Sequence, residues 1–188
     1  NTVNITNCRA ESDVKIGCFA DGTSAKETRI ATFAGGLNGS VTNCVSYATV
    51  YGASTVAGIV AEKGQAMGKF IVSNNAFMGD IHATGSYVGG MVASGYVAYS
   101  APNAPCVSIT NCYVAANITG KNYVGGILGA EAGCVQAWEN CTGNIKDNFF
   151  YGNVTATAEN AYVGGIVGYM KSLNKYNCIE NNYYLDTC

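Results

Sequence analysis

The chain has 188 residues and a formal net charge of −2, enough for one domain with its own core. Only 12% of the residues are charged, about half the usual share, and the eight Lys and two Arg are scattered, which excludes a surface built to follow a nucleic-acid backbone. With 24 Gly, 20 Asn and two Pro, the composition suits stacked strands and tight turns and argues against helices.

The first recurring element is Ile-Thr-Asn-Cys at Ile5. It returns as Val-Thr-Asn-Cys at Val41, Ile-Val-Ser-Asn at Ile71, Ile-Thr-Asn-Cys at Ile109, Ile-Lys-Asp-Asn at Ile145 and Ile-Glu-Asn-Asn at Ile179. A second element, about nine residues on, carries Val14, Val50, Ile81, Ile118 and Val154. A third reads Phe33-Ala-Gly-Gly-Leu, Val56-Ala-Gly-Ile-Val, Tyr87-Val-Gly-Gly-Met-Val, Tyr123-Val-Gly-Gly-Ile-Leu-Gly and Tyr162-Val-Gly-Gly-Ile-Val-Gly. Each is short, β-branched and bounded by Gly or Asn, so each reads as a strand. A helix through Val-Gly-Gly-Ile-Val would carry two interior glycines at about 1 kcal/mol each.

Such a repeat buries its apolar face only by stacking on its neighbours. The expected fold is all-β, a parallel β-solenoid (β-helix) of about five coils, three short strands per coil, with long loops on one flank. Residues 1–188 are read as one such domain. Ile5, Val41, Ile71 and Ile109 are expected to form one apolar column. The next position (Thr6, Thr42, Val72, Thr110, Lys146, Glu180) should face water. Asn7, Asn43, Ser73, Asn111, Asp147 and Asn181 should form a ladder at a bend.

Tyr162-Val-Gly-Gly-Ile-Val-Gly, with a preceding Ile-x-Asn-Cys-Tyr (Ile109 to Tyr113) and a Gly152-Asn-Val step, resembles the GLUG motif. The resemblance covers nearly the whole chain, best in the last three coils and least in the first, which has extra residues from Gly17 to Arg29. GLUG repeats belong to large bacterial surface proteins, including some immunoglobulin-A-cleaving metallopeptidases and gut-bacterial adhesins. The resemblance therefore implies a scaffold without catalytic residues of its own, at the cell surface or secreted. The open ends of a solenoid need caps, so the chain is expected to be a piece of a longer polypeptide with flanking domains.

Chemistry is sparse. His82 is the sole histidine, no CxxC pair occurs, and the five Asp and seven Glu scarcely coincide when the repeats are aligned. Asp80 shares a strand face with His82 but lacks a nucleophile beside it. No metal, cofactor or catalytic activity is expected. No apolar stretch reaches the roughly 18 residues of a membrane span.

The nine cysteines admit two readings, small buried hydrophobes in the stack or disulfides of an oxidising compartment. Cys8, Cys44 and Cys112 share one repeat position with Asn and are expected to be buried thiols. Cys106, Cys134, Cys141 and Cys178 lie in the variable segments, and Cys134 with Cys141 is the expected local disulfide.

Those segments, Glu62 to Phe70, Ser94 to Ser108, Ala130 to Asn144 and Tyr169 to Cys178, all follow the glycine-pair element. Loops gathered on a rigid stack are a usual place for recognition, and Tyr96, Tyr99, Trp138 and Tyr169 are the candidate binding residues; equally, such aromatics can cover an open edge. The expected function is a non-catalytic binding or display module recognising a host glycoprotein, immunoglobulin or glycan. The alternative is a structural spacer that carries another domain.

Overall fold

In a computed structural model, residues 2–17, 27–64, 70–95, 107–131, 144–170 and 178–185 are described. Among them there is no helix, and the strands form five parallel sheets. The chain visits these sheets in a fixed order and then repeats the order one level up, which defines a parallel β-solenoid.

The first sheet holds Val3–Thr6, Gly39–Thr42, Phe70–Ser73, Val107–Thr110, Asn144–Lys146 and Cys178–Glu180. The second holds Arg9–Ala10, Val45–Ser46, Ala76–Phe77, Tyr113–Ala115, Phe149–Tyr151 and Tyr183–Leu185. The third contains Lys15–Ile16, Thr49–Gly52, Ile81–Ala83, Ile118–Gly120 and Val154–Ala156. The fourth contains Thr28–Ala31, Ser54–Ala57, Val88–Gly89, Val124–Gly125 and Val163–Gly164. The fifth contains Ala34–Leu37, Val60–Lys63, Val92–Ser94, Leu128–Glu131 and Val167–Met170. Five-stranded sheets climb only four inter-strand steps, so the stack rises about four turns, slightly fewer than the expected five coils. Each coil has five short strands rather than three. The Asn bend splits the leading element in two, and the glycine pair splits the third.

The core is a set of columns. Ile5, Val41, Val72, Ile109, Ile145 and Ile179 pair in register along the first sheet. Phe77, Val114 and Phe150 form the inner row of the second sheet, and Ile30, Val56, Val88, Val124 and Val163 that of the fourth. Val41, Val72, Ile109 and Ile145 are all at most 1% exposed, and burying each such side chain contributes about 1.5–3 kcal/mol. At the ends the columns open, and Val163 is 47% exposed because the fourth sheet stops there.

Three registers differ from expectation. Val72, not Ile71, continues the leading column, and Ile71 pairs with Ser40 and Ser108 on the outer side. Ile16, not Val14, pairs with Val50. Ile30 aligns with Val56 and Ala34 with Val60, so Gly35-Gly36 is not the glycine pair of the other coils. In each case a neighbouring apolar residue offers the same pattern, and only pairing with the next coil selects between them.

The glycine pair is a close approach of backbones. A Cβ on Gly125 would stand 2.0 Å from the carbonyl oxygen of Leu128, and one on Gly126 would stand 2.1 Å from that of Gly165 and 2.5 Å from the Phe150 ring. The chain therefore folds directly back from the fourth sheet into the fifth, with no room for a side chain.

Two corners turn through the left-handed region. One is the column Asn7, Asn43, Asn74, Asn111, Asp147 and Asn181, with φ of 53 to 56°. Asn and Asp tolerate this conformation best among non-glycine residues. The other is Arg29, Thr55, Tyr87 and Tyr123, with φ of 48 to 64°.

Candidate functional site

The expected Asn ladder sits one residue further on. The left-handed Asn column is exposed, and the next position, Cys8, Cys44, Asn75, Cys112, Asn148 and Asn182, points inward. From Cys44 onward these side chains reach towards the preceding coil, while the Cys8 thiol, in the first coil, bonds to the Thr6 carbonyl. Asn75 donates to the carbonyl of Val41, Asn148 to that of Ile109 and Asn182 to that of Ile145, at 2.9, 2.9 and 2.6 Å. Cys44 and Cys112 direct their thiols between the carbonyls of Thr42 and Thr110 in their own coils, both at 3.3 Å, and those of Ile5 and Val72 in the preceding coils, at 3.9 and 3.6 Å. In return, Asn75 Oδ1 accepts the backbone N–H of Cys44, and Asn148 Oδ1 accepts that of Cys112. Thiol and amide thus share one structural task, satisfying backbone groups that the bend takes out of the ladder.

All three cysteines at this position are free thiols, with Cys44 and Cys112 buried and Cys8 half-buried. Burial pushes the Cys112 thiol up to about 12 and also raises that of Cys44. A thiol held in its neutral form is a poor nucleophile and a poor metal ligand, so this column belongs to the scaffold.

The expected binding residues divide. Tyr96, Tyr99 and Trp138 lie outside the described residues, as do Cys106, Cys134, Cys141 and the side chain of Cys178. Tyr169 is described, and it belongs to the fifth-sheet strand Val167–Met170 rather than to a loop. Its ring packs 4.8 Å from Tyr162 and 5.0 Å from Tyr123, beside a ladder in which Tyr87, Tyr123 and Tyr162 stack at 5.1 and 5.5 Å. The segments preceding residues 70, 107, 144 and 178 all run from the fifth sheet to the first. Their ends stack, since Glu62 pairs with Ser94, Ser94 with Ala130, and Ala130 with Tyr169.

Ionisable groups are dispersed among the described residues, and no group of three or more His, Cys, Asp or Glu is placed to hold a metal. Lys146 pairs with Glu180 at 2.9 Å on the outer side of the first sheet, and Arg29 with Glu62 at 2.6 Å. His82 is exposed and stacks on Tyr51 at 5.1 Å. Asp80 accepts from the backbone N–H and side-chain amide of Asn117, at 3.0 and 3.2 Å.

The outer face of the second sheet was not anticipated. One row runs Arg9, Val45, Ala76, Tyr113, Phe149 and Tyr183. Beside it Ala115, Tyr151 and Leu185 are in register, and Tyr47 and Met78 hold the equivalent place in earlier coils. Tyr113 and Phe149 stack at 5.7 Å with planes 2° apart. Exposure reaches 37% at Tyr113 and Phe149, 42% at Tyr151, 66% at Tyr183 and 54% at Leu185. The two charges in these rows, Arg9 and Glu11, bond to each other, and the Arg9 guanidinium lies 4.8 Å from the centre of the Tyr47 ring.

Polar rows, mostly Asn with Asp80 and Asp147 among them, border this strip on both sides. One is the exposed left-handed column Asn7 to Asn181. The other is Asp80, Asn117 and Asn153, linked by side-chain hydrogen bonds. A shallow cavity of about 280 Å³ opens beside the strip, lined by Asp80, Ala115, Ala116, Asn117, Tyr151 and Gly152. The sequence held a signal for the strip: Tyr113, Phe149 and Tyr183 each stand two residues after the left-handed Asn or Asp.

Fold and site together define a regular parallel β-solenoid whose second sheet carries an aromatic outer face with a mutually paired Arg9 and Glu11 at its first-coil end. No family model, curated protein or solved structure matches the chain.

Proposed function

We propose that this chain is a non-catalytic binding and display module of a bacterial cell-surface or secreted protein, directed at a host glycoprotein, immunoglobulin or glycan. The observation that carries the reading is the exposed aromatic face of the second sheet. Tyr113, Phe149, Tyr151, Tyr183 and Leu185 lie in one contiguous patch, separate from the stacked Tyr87, Tyr123 and Tyr162 of the fourth sheet. Exposed aromatic side chains gathered on one face of a rigid scaffold suit recognition. The dispersal of ionisable groups supports a non-catalytic role, and the resemblance of the repeats to GLUG supports the bacterial surface location.

The test is a screen of the chain against arrays of host serum proteins, immunoglobulins and glycans. It is run beside a variant in which residues 96–106 and 132–143, which lie between the strands, are replaced by short turns. Capture on either array is the expected result. Capture on neither array would return the chain to the role of spacer.

A further inference from the structure

The geometry points to a linear, neutral glycan as the ligand of the second sheet's outer face, lying along the stacking axis. The inference rests on the binding-module reading and names its ligand class and site.

Three observations lead there. The first is shape. Five inter-strand steps of about 4.8 Å make the strip about 24 Å long, and three residues of strand make it about 10 Å wide. That area, about 240 Å², falls well below the roughly 800 Å² per partner that a stable protein interface buries. A second copy of the chain or a folded partner would leave most of its contact elsewhere, whereas a single extended chain of sugars covers a long, narrow strip.

The second is chemistry. A pyranose ring presents C–H groups on its faces and hydroxyls around its edge. The strip offers Tyr113, Phe149, Tyr151 and Tyr183 as apolar platforms. The two rims offer what hydroxyls need, amides that both donate and accept: Asn74, Asn111 and Asn181 on one side and Asn117 and Asn153 on the other. The cavity beside Tyr151, about 280 Å³, lets one sugar edge reach Asp80 and Asn117.

The third is charge. The strip's only ions, Arg9 and Glu11, neutralise each other at its first-coil end. The rims add the carboxylates of Asp80 and Asp147 and, at the first-coil end in register with Thr49, the cation of Lys15. The balance is net negative, which disfavours a polyanion, and a neutral chain incurs no charge desolvation.

The test is gel electrophoresis of the chain through soluble polysaccharides: a mixed-linkage β-glucan, a galactomannan and an arabinoxylan, with dextran sulfate as the polyanion. At least one neutral polysaccharide should retard the protein, and added salt should leave the retardation unchanged. Phe149→Asn should weaken it by about tenfold or more, while Phe149→Tyr, which keeps a ring, should preserve it. Tyr183→Asn, on the last strand and outside the packed columns, is the second variant should Phe149→Asn lose the native circular dichroism. Preference for dextran sulfate, or equal retardation of wild type and both Asn variants, would overturn the assignment. If no polysaccharide retards the chain while an arrayed host protein captures it, the glycan inference falls and the binding module stands. If nothing binds in either assay, both fall.

Discussion

Asn148 gives the most direct test of how this fold is held together. It is 1% exposed. Its Oδ1 accepts the Cys112 N–H at 3.0 Å, and its Nδ2 donates to the Ile109 carbonyl and to Asn182 Oδ1, both at 2.9 Å. In Asn148→Ala the Cys112 N–H and the Ile109 carbonyl lose partners deep in the bend. Each unsatisfied buried group costs about 1–3 kcal/mol, so the variant should lose about 2–6 kcal/mol, a large part of the stability of an ordinary domain. Asn148→Cys should lose about half as much. The chain already places Cys at this position in other coils, where the Cys44 sulfur accepts the Cys8 N–H at 3.3 Å and its thiol points back to the Ile5 carbonyl. Both values are read from urea unfolding monitored by circular dichroism under reducing conditions. A cost below about 1 kcal/mol for Asn148→Ala, or equal costs for Ala and Cys, would refute the idea that this column satisfies the backbone at the bend.

Two further outcomes follow from the same columns. Ile145→Ala should cost about 2–4 kcal/mol because the side chain is enclosed, whereas Lys146→Ala, on the outer side and paired with Glu180, should cost under about 0.5–1 kcal/mol; similar losses in denaturant titrations would refute the register. With its thiol pushed up to about 12 against an ordinary value of 9.0, Cys112 stays protonated in the native chain at pH values where the unfolded chain has released the proton. Its contribution is therefore intact below pH 9 and lost as pH rises towards 12, by about 4 kcal/mol over the full window. Stability curves of wild type and Cys112→Ala should converge across that range, and parallel curves would refute the effect.

Much of this architecture is legible from the sequence because the repeat is itself the folding instruction. The recurrence of Ile-x-Asn-Cys and Val-Gly-Gly at near-constant steps implies stacked parallel strands, since such short apolar segments are buried only by their own copies above and below. The water-facing role of Lys146 and Glu180, beside the enclosed Ile145, follows from alternation along a strand. What the sequence left open was register by one or a few residues. Ile71 and Val72 are both apolar, as are Val14 and Ile16, and only the hydrogen-bonded neighbour coil decides which faces inward.

The tertiary structure alone showed that Cys and Asn perform one task at the bend. Their shared position is visible in the sequence, but the carbonyls they reach belong to another coil, 34 to 40 residues away. The aromatic strip is decided the same way. Tyr113, Phe149 and Tyr183 are separated by a full coil each, so nothing local marks them as neighbours. Stacking at the inter-strand spacing places their rings in one row, while the left-handed turn at Asn111, Asp147 and Asn181 sends that row outward. A single chain encodes its columns by repetition, but which outer rows become continuous surfaces depends on the pitch and corners of the stack.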